Sequence, residues 1–173
     1  RGWVRALAVS PDGKTLASAG NDRVVRLWSA ADGTPLMELP GHEKPVYRLM
    51  FTPDGKTLLS ADLNGTVIAW DHRPGKEARR FDAGKLHVYE AGQGVDYGGV
   101  REFSLSHDGK LLACGGLIEG TNPLGAVSTP AVFLLDWQTG KEVRLLRPRG
   151  DLKGVIAGLK FHPSGFLAAA VLS

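Results

Sequence analysis

At 173 residues the chain is long enough for one ordinary domain with a core of its own, or for part of a larger repeat array. Its 43% apolar and 23% charged residues exclude a disordered chain, and a net charge of +3 is too small to argue for nucleic acid without a clustered basic patch. One cysteine, Cys114, excludes an internal disulfide, and no apolar run approaches the ~18 residues of a membrane helix.

In chain order, the first element to stand out is the segment at 4–13, VRALAVSPDG, which returns at 46–55, 100–109 and 156–165. Its first, fourth and sixth positions are apolar: Val4, Leu7 and Val9, then Val46, Leu49 and Phe51, then Val100, Phe103 and Leu105, then Ile156, Leu159 and Phe161. The spacing of the last two is strand-like, and the Pro-Asp-Gly that follows is turn chemistry. After the first two copies comes a second unit, 16–28 and 58–70. Each is an apolar strand, a tight polar turn at Asn21-Asp22 or Asn64-Gly65, and a β-branched strand ending in Trp28 or Trp70. A turn at Asp32-Gly33 or Pro74-Gly75 then leads to a fourth strand. The step from Pro11 to Pro53 is 42 residues, as is that from Trp28 to Trp70. No stretch keeps a helical period for three turns without Gly or Pro, so an all-β fold of four-stranded antiparallel units is predicted.

A unit of about 40–45 residues whose third strand closes on tryptophan resembles the WD40 repeat family, and the resemblance covers essentially the whole chain. Gly41-His42 is similar to the family's Gly-His element and Trp70-Asp71 to its Trp-Asp dipeptide. The resemblance implies a β-propeller in which a His, a Ser or Thr, an Asp and the Trp form a buried network within each blade. In the second blade the matching residues are His42, Ser60, Asn64 (where Asp is usual) and Trp70. In the first they are Ser18, Asp22 and Trp28, the histidine falling just before Arg1. In the third, Cys114 takes the serine position and Leu135 the tryptophan position, so no network is expected there. The segment 122–137 also resembles WD40 proteins of environmental, planctomycete-like bacteria.

The expected layout is blade one at 3–41, blade two at 42–83, blade three at 96–149 and a partial blade four at 152–173. That makes about three and a half blades of a propeller of seven or eight. With Arg1 rather than methionine at its start, the chain reads as an excerpt or a processed product, and the lack of a signal peptide means little. The compartment is left open, with the cytoplasm slightly favoured.

Two insertions break the rhythm, at 84–99 and at 115–131. Strands alternate in direction, so both connections are expected on one face, and long ordered loops are disproportionately functional. The candidate partner-binding residues are His87, Tyr89, Glu90, Asp96 and Tyr97 in the first and Glu119 and Asn122 in the second. The expected function is non-catalytic binding of a protein or peptide by loops on one face, without a cofactor. The alternative is a small-ligand receptor or enzyme with a site at the central channel, where Arg48 and Glu102 hold matching positions of their strands.

Other signals carry less. His42 has no second His or Cys at metal-ligand spacing. Residues 62–65 resemble the start of a calcium loop but lack its later Glu, and Asn64-Gly65-Thr66 is a glycosylation sequon placed in a tight turn. Gly92 and Gly94 lack the strand–loop–helix context of a phosphate site. The basic runs at 73–80 and 141–149 fit charged outer edge strands better than a nucleic-acid stripe, since no aromatics interleave them. Cys114 has no neighbouring base, and no serine stands in a nucleophile elbow.

Overall fold

The structure is a computed structural model and describes residues 2–92, 94–120 and 128–173. It divides into two compact units: residues up to Asp62 with Thr66–Arg80, and Leu63–Gly65 with Phe81–Ser173. Among the described residues the regular structure is β throughout, apart from one short 3-10 turn at Gly84–Leu86.

The first sheet holds β1 (Val4–Val9), β2 (Thr15–Gly20), β3 (Val24–Ser29) and β4 (Pro35–Pro40), in that order and antiparallel. The second repeats it with β5 (Val46–Phe51), β6 (Thr57–Asp62), β7 (Thr66–Asp71) and β8 (Lys76–Asp82). In the other unit β9 (His87–Glu90) and β10 (Val95–Gly98) pair as a hairpin. A third four-stranded sheet follows with β11 (Glu102–Leu105), β12 (Leu111–Ile118), β13 (Thr129–Asp136) and β14 (Glu142–Leu146). The last sheet has two strands, β15 (Val155–Phe161) and β16 (Leu167–Leu172). The three four-stranded sheets repeat one plan, the one expected of WD40-type blades, and are called blades one, two and three.

One turn chemistry starts every blade. A hydroxyl two residues before an aspartate binds it, Ser10 to Asp12 at 2.6 Å, Thr52 to Asp54 at 2.6 Å and Ser106 to Asp108 at 2.7 Å. The same aspartate Oδ1 accepts the N–H of Lys14, Lys56 or Lys110, each at 3.1 Å. The next residue is glycine at positive φ: Gly13, Gly55 and Gly109, at 70°, 64° and 69°. The fourth copy uses His162 and Ser164 before Gly165.

In the first unit β5 packs on β1 and β2, burying Ala6, Ala17, Val46, Leu49, Phe51 and Trp70 in one core. In the second unit β15 packs on β11, β12 and β13 around Ala113, Val132, Ile156 and Leu159. The Ser104 hydroxyl accepts the Phe161 N–H at 2.8 Å there. The repeat positions differ in burial. Val46, Leu49 and Phe51 are at most 7% exposed, whereas their counterparts Val4, Leu7 and Val9 on β1 are 58–64% exposed.

Two expectations are corrected. Residues 84–99 are not a loop: they hold the 3-10 turn and the β9–β10 hairpin, so Val95–Gly98 pairs outside blade three, whose first strand is β11 rather than starting at 96. Residues 115–131 are not one long loop either. Residues 115–118 and 129–131 extend β12 and β13 to eight residues each, with Ile118 opposite Thr129. The glycines that made this stretch look loop-like serve close packing. A Cβ on Gly115 would meet Ile156 at 2.7 Å, and one on Gly116 would meet the Gly99 carbonyl at 2.5 Å.

Candidate functional site

A fully hydrogen-bonded, buried polar cluster lies inside blade two. Trp70 Nε1 donates to Ser60 Oγ at 2.8 Å, Ser60 Oγ lies 2.6 Å from His42 Nε2, and His42 Nδ1 lies 3.0 Å from Asp62 Oδ2. One protonation pattern satisfies every member. The indole N–H donates to the serine oxygen, the serine O–H to Nε2, and the Nδ1–H to the aspartate. Asp62 Oδ1 in turn accepts the Thr66 N–H at 3.0 Å, closing the turn to β7. The acid of this network is therefore Asp62 and not the expected Asn64. Asp62 shares the strand face of Ser60 because side chains alternate along β6, while Asn64 lies past the strand end.

A serine, a histidine and an aspartate in this order have the connectivity of a hydrolytic triad. Burial decides against that chemistry: Ser60 and Asp62 are 0% exposed and His42 7%, and the serine oxygen is already held by Trp70. No substrate atom reaches it.

Blade one keeps part of the arrangement. Trp28 Nε1 donates to Ser18 Oγ at 2.8 Å, but Asp22 turns to Arg26 at 2.5 Å and to the Val24 N–H at 3.4 Å. Burial pushes the Asp22 carboxyl up, yet the Arg26 hydrogen bond and charge outweigh it and hold it below the usual range. In blade three, register puts Leu112 opposite Leu135 and Cys114 opposite Phe133, as Leu58 faces Trp70 and Ser60 faces Ile68 in blade two. Leu135 carries no N–H to donate. The indole of this blade is instead Trp137, two residues on, stacked on Phe81 with centroids 5.3 Å apart.

The two insertions meet. Leu86 from the 3-10 turn is fully buried, and a Cβ on Gly116 would sit 3.3 Å from it. Tyr97 is 5% exposed, and a Cβ on Gly120 would meet it at 3.5 Å and Leu117 at 3.1 Å. Hairpin and extended β12–β13 ribbon thus share a small core of Leu86, Tyr97 and Leu117. Ser128 anchors the ribbon to Gly154, donating to its carbonyl at 3.0 Å and accepting its N–H at 2.9 Å.

The sequence-derived binding residues separate on this platform. His87 Nε2 and Asp96 Oδ1 lie 2.9 Å apart across the hairpin, both half-buried. Tyr89 points out, 60% exposed. Glu90 accepts the Gly92 N–H at 3.1 Å, and Tyr97 serves the platform core. Glu119, at φ 57°, binds Arg147 at 2.9 Å and Thr129 at 3.3 Å. Asn122 lies outside the described residues. Arg48 is half-buried on β5, opposite Ala61 just after a bulge, and Glu102 is half-buried on β11 opposite Gly115. Sequence reasoning missed Asp62, Leu86 and Ser128. For Asp62 a signal existed, since it stands two residues after Ser60 on the same strand face.

Of the basic runs, Arg80 binds Glu77 at 2.7 Å and the Gly41 carbonyl at 3.3 Å. Lys85, outside them, binds Glu142 at 2.5 Å. Among the described residues no group of three or more His, Cys, Asp or Glu gathers as a metal site.

The sequence profile of the WD40 family (WD domain, G-beta repeat) matches residues 1–29 and 33–71, the stretch from β1 to β7. The general transcriptional corepressor TUP1 of Saccharomyces cerevisiae is 40% identical over 47 residues, 27% of this chain and 7% of that protein. The small ribosomal subunit protein RACK1 of Brassica napus is 45% identical over 51 residues, 30% of this chain and 15% of that protein. The human WD repeat-containing protein 86 is 46% identical over 46 residues, 27% and 12% respectively. The matches thus span less than a sixth of each of these relatives.

Proposed function

With its first two blades matching the WD40 repeat and its third built on the same four-strand plan, we propose that the chain is a non-catalytic scaffold that binds a protein or peptide through the decorated end of blade three. The observation that carries this reading is the shared core of the two insertions. Extra residues that only bridged strands would not need Leu86 and Tyr97 buried between them. The packing fixes the hairpin in place, so Tyr89 is offered on a rigid support and ordering it on binding costs little. Similarity to a general transcriptional corepressor and to a small ribosomal subunit protein agrees with an interaction role.

The exposed apolar row of Val4, Leu7 and Val9 supports a further part of the reading. The equivalent row on β5 is covered by blade one, so a preceding blade of the same kind would cover β1, as the sequence reading of a larger ring requires.

Photo-crosslinking tests the proposal. A benzophenone side chain is placed at Tyr89 and Glu119, with Gln138 in the opposite turn of blade three as control. Partners captured at 89 and 119, absent at 138 and lost when residues 87–98 are replaced by a short turn, are the expected result. Capture at 138 alone, or capture indifferent to the hairpin, would overturn it.

A further inference from the structure

The first unit carries a cleft of about 450 Å³ at the opposite end of its strands from the Asn64-Gly65 turn. It opens where the first turns of blades one and two, the outer strand β4 and the β7–β8 turn come together. Its apolar wall is Leu27, Leu36 and Met37, with Leu36 54% exposed.

The polar groups of the cleft are unequally committed. Asp12 and Asp54 each spend Oδ1 on a hydroxyl and a backbone N–H of their own turn. Lys14 and Arg73 form no side-chain hydrogen bond or salt bridge among the described residues, although their charges act on Asp12. His72 also lines the cleft. It is 9% exposed, stands edge-on to Phe51, and its buried Nδ1 has no hydrogen-bond partner among the described residues. A buried ring nitrogen without a partner is uncommon in a folded protein.

We propose that this cleft is a second binding site, for an extended peptide segment carrying an acidic side chain two residues from a large apolar one, so that both lie on one face of the strand. The carboxylate meets Lys14 and Arg73, the apolar side chain lies on Leu27, Leu36 and Met37, and the peptide passes beside the His72 ring. A peptide fits better than a compact anion because β4 is the last strand of its sheet. Its outer edge can pair with an added strand, between prolines at 35 and 40 that limit the pairing to a short register. This site uses none of the residues of the blade-three platform, so the two readings stand or fall separately.

The test uses the full chain and an array of capped hexapeptides in a Gly-Ser frame, with every pairing of the twenty residues at the second and fourth positions. Enrichment of Asp or Glu two residues from Leu, Ile, Met or Phe is expected. Lys14→Glu with Arg73→Glu should lower the signal of those peptides at least tenfold and favour Lys or Arg in place of the acid. Leu36→Ser should weaken the apolar preference and leave the charge preference intact. All three positions are exposed, and melting curves confirm folding. In NMR spectra the His72 ring nitrogens should shift on adding the best peptide. Basic peptides preferred by the wild type, no enrichment above the double variant, or shifts confined to β9 and β10 would each overturn the proposal.

Discussion

Asp62 Oδ2 stands 3.0 Å from His42 Nδ1 while its other oxygen holds the Thr66 N–H at 3.0 Å, so one side chain fixes both the ring and the turn. Replacing Asp62 by Ala leaves a buried ring N–H and a turn N–H without acceptors. The expected loss is about 2–4 kcal/mol, the range for orphaning buried polar groups. Urea unfolding followed by tryptophan fluorescence measures it. Asn64→Asp in the wild-type background should change the midpoint much less, because the ring is already held. If Asn64→Ala costs as much as Asp62→Ala, the assignment of the acid is wrong.

The turn between the second and third strands sets up a natural comparison. Arg23 and Gly65 are 42 residues apart in the repeat and both have positive φ, 68° and 84°. Arg23 carries a side chain in a left-handed conformation, and its Nη1 gains only a 3.4 Å contact to the Glu43 carbonyl. Arg23→Gly removes a backbone strain of roughly 1 kcal/mol and adds unfolded-state entropy, for a net stabilisation of about 0.5 kcal/mol. Gly65 has a second constraint, because a Cβ there would lie 2.5 Å from the Ala83 carbonyl oxygen. Gly65→Ala is therefore expected to cost about 2–4 kcal/mol by strain and displacement of the Ala83 backbone. Thermal melts of the two variants should move in opposite directions, and equal shifts would contradict the close approach at Ala83.

Much of the fold was legible because its signals are local. The Ser/Thr-x-Asp-Gly turn closes on itself through bonds spanning five residues or fewer, and the apolar alternation needs no partner to be read. Signals that depend on distant packing were not legible. Gly115 and Gly116 read as loop residues, yet they are glycines because Ile156 and the Gly99 carbonyl press on them inside a strand. The length of both insertions was visible, but not that Leu86 and Tyr97 would be buried between them. Asp62 and Asn64 are both short polar residues near one turn, and only strand parity tells them apart. His72 drew no notice beside the Trp70-Asp71 dipeptide, since burial of its Nδ1 is a property of the packed unit.

The repeated turns make stability depend on pH in a defined direction. Asp12 is held below the usual carboxylate range by the Ser10 hydroxyl first and the Lys14 N–H second. Asp54 is held by Thr52 and Lys56 in the same order, and Asp108 by Ser106 and Lys110. A folded-state value below the unfolded one means that the unfolded chain binds more protons at acid pH. The contribution is therefore complete above the unfolded value, and is lost as pH falls through the folded one. Urea midpoints should be level above about pH 5 and decline between roughly pH 4 and pH 2. Asn at all three positions keeps an acceptor oxygen for the turn and removes the titration, so the decline should flatten. Asp22 and Asp32, also held low, leave a residual slope. An undiminished slope in the triple variant would assign the acid sensitivity to other carboxylates.

Cys114 offers a clock for the second unit alone. It is 0% exposed, and burial pushes its thiol far above the ordinary range, so the reactive thiolate is scarce and shielded in the folded state. Iodoacetamide near pH 8 should leave the native chain unlabelled over times in which a free thiol reacts fully, a protection of about a thousandfold or more. The residue lies between Phe103 on β11 and Phe133 on β13, so labelling requires separation of the central strands rather than fraying of β16. Trp3, Trp28 and Trp70 belong to the first unit, and in a Trp137→Phe background their fluorescence reports its opening independently. As urea rises, labelling of Cys114 and the tryptophan transition coincide if the two units unfold together, and separate if each opens by itself. Rapid labelling in buffer without urea would show instead that blade three opens locally around β12, and would contradict the packing of Gly115 against Ile156.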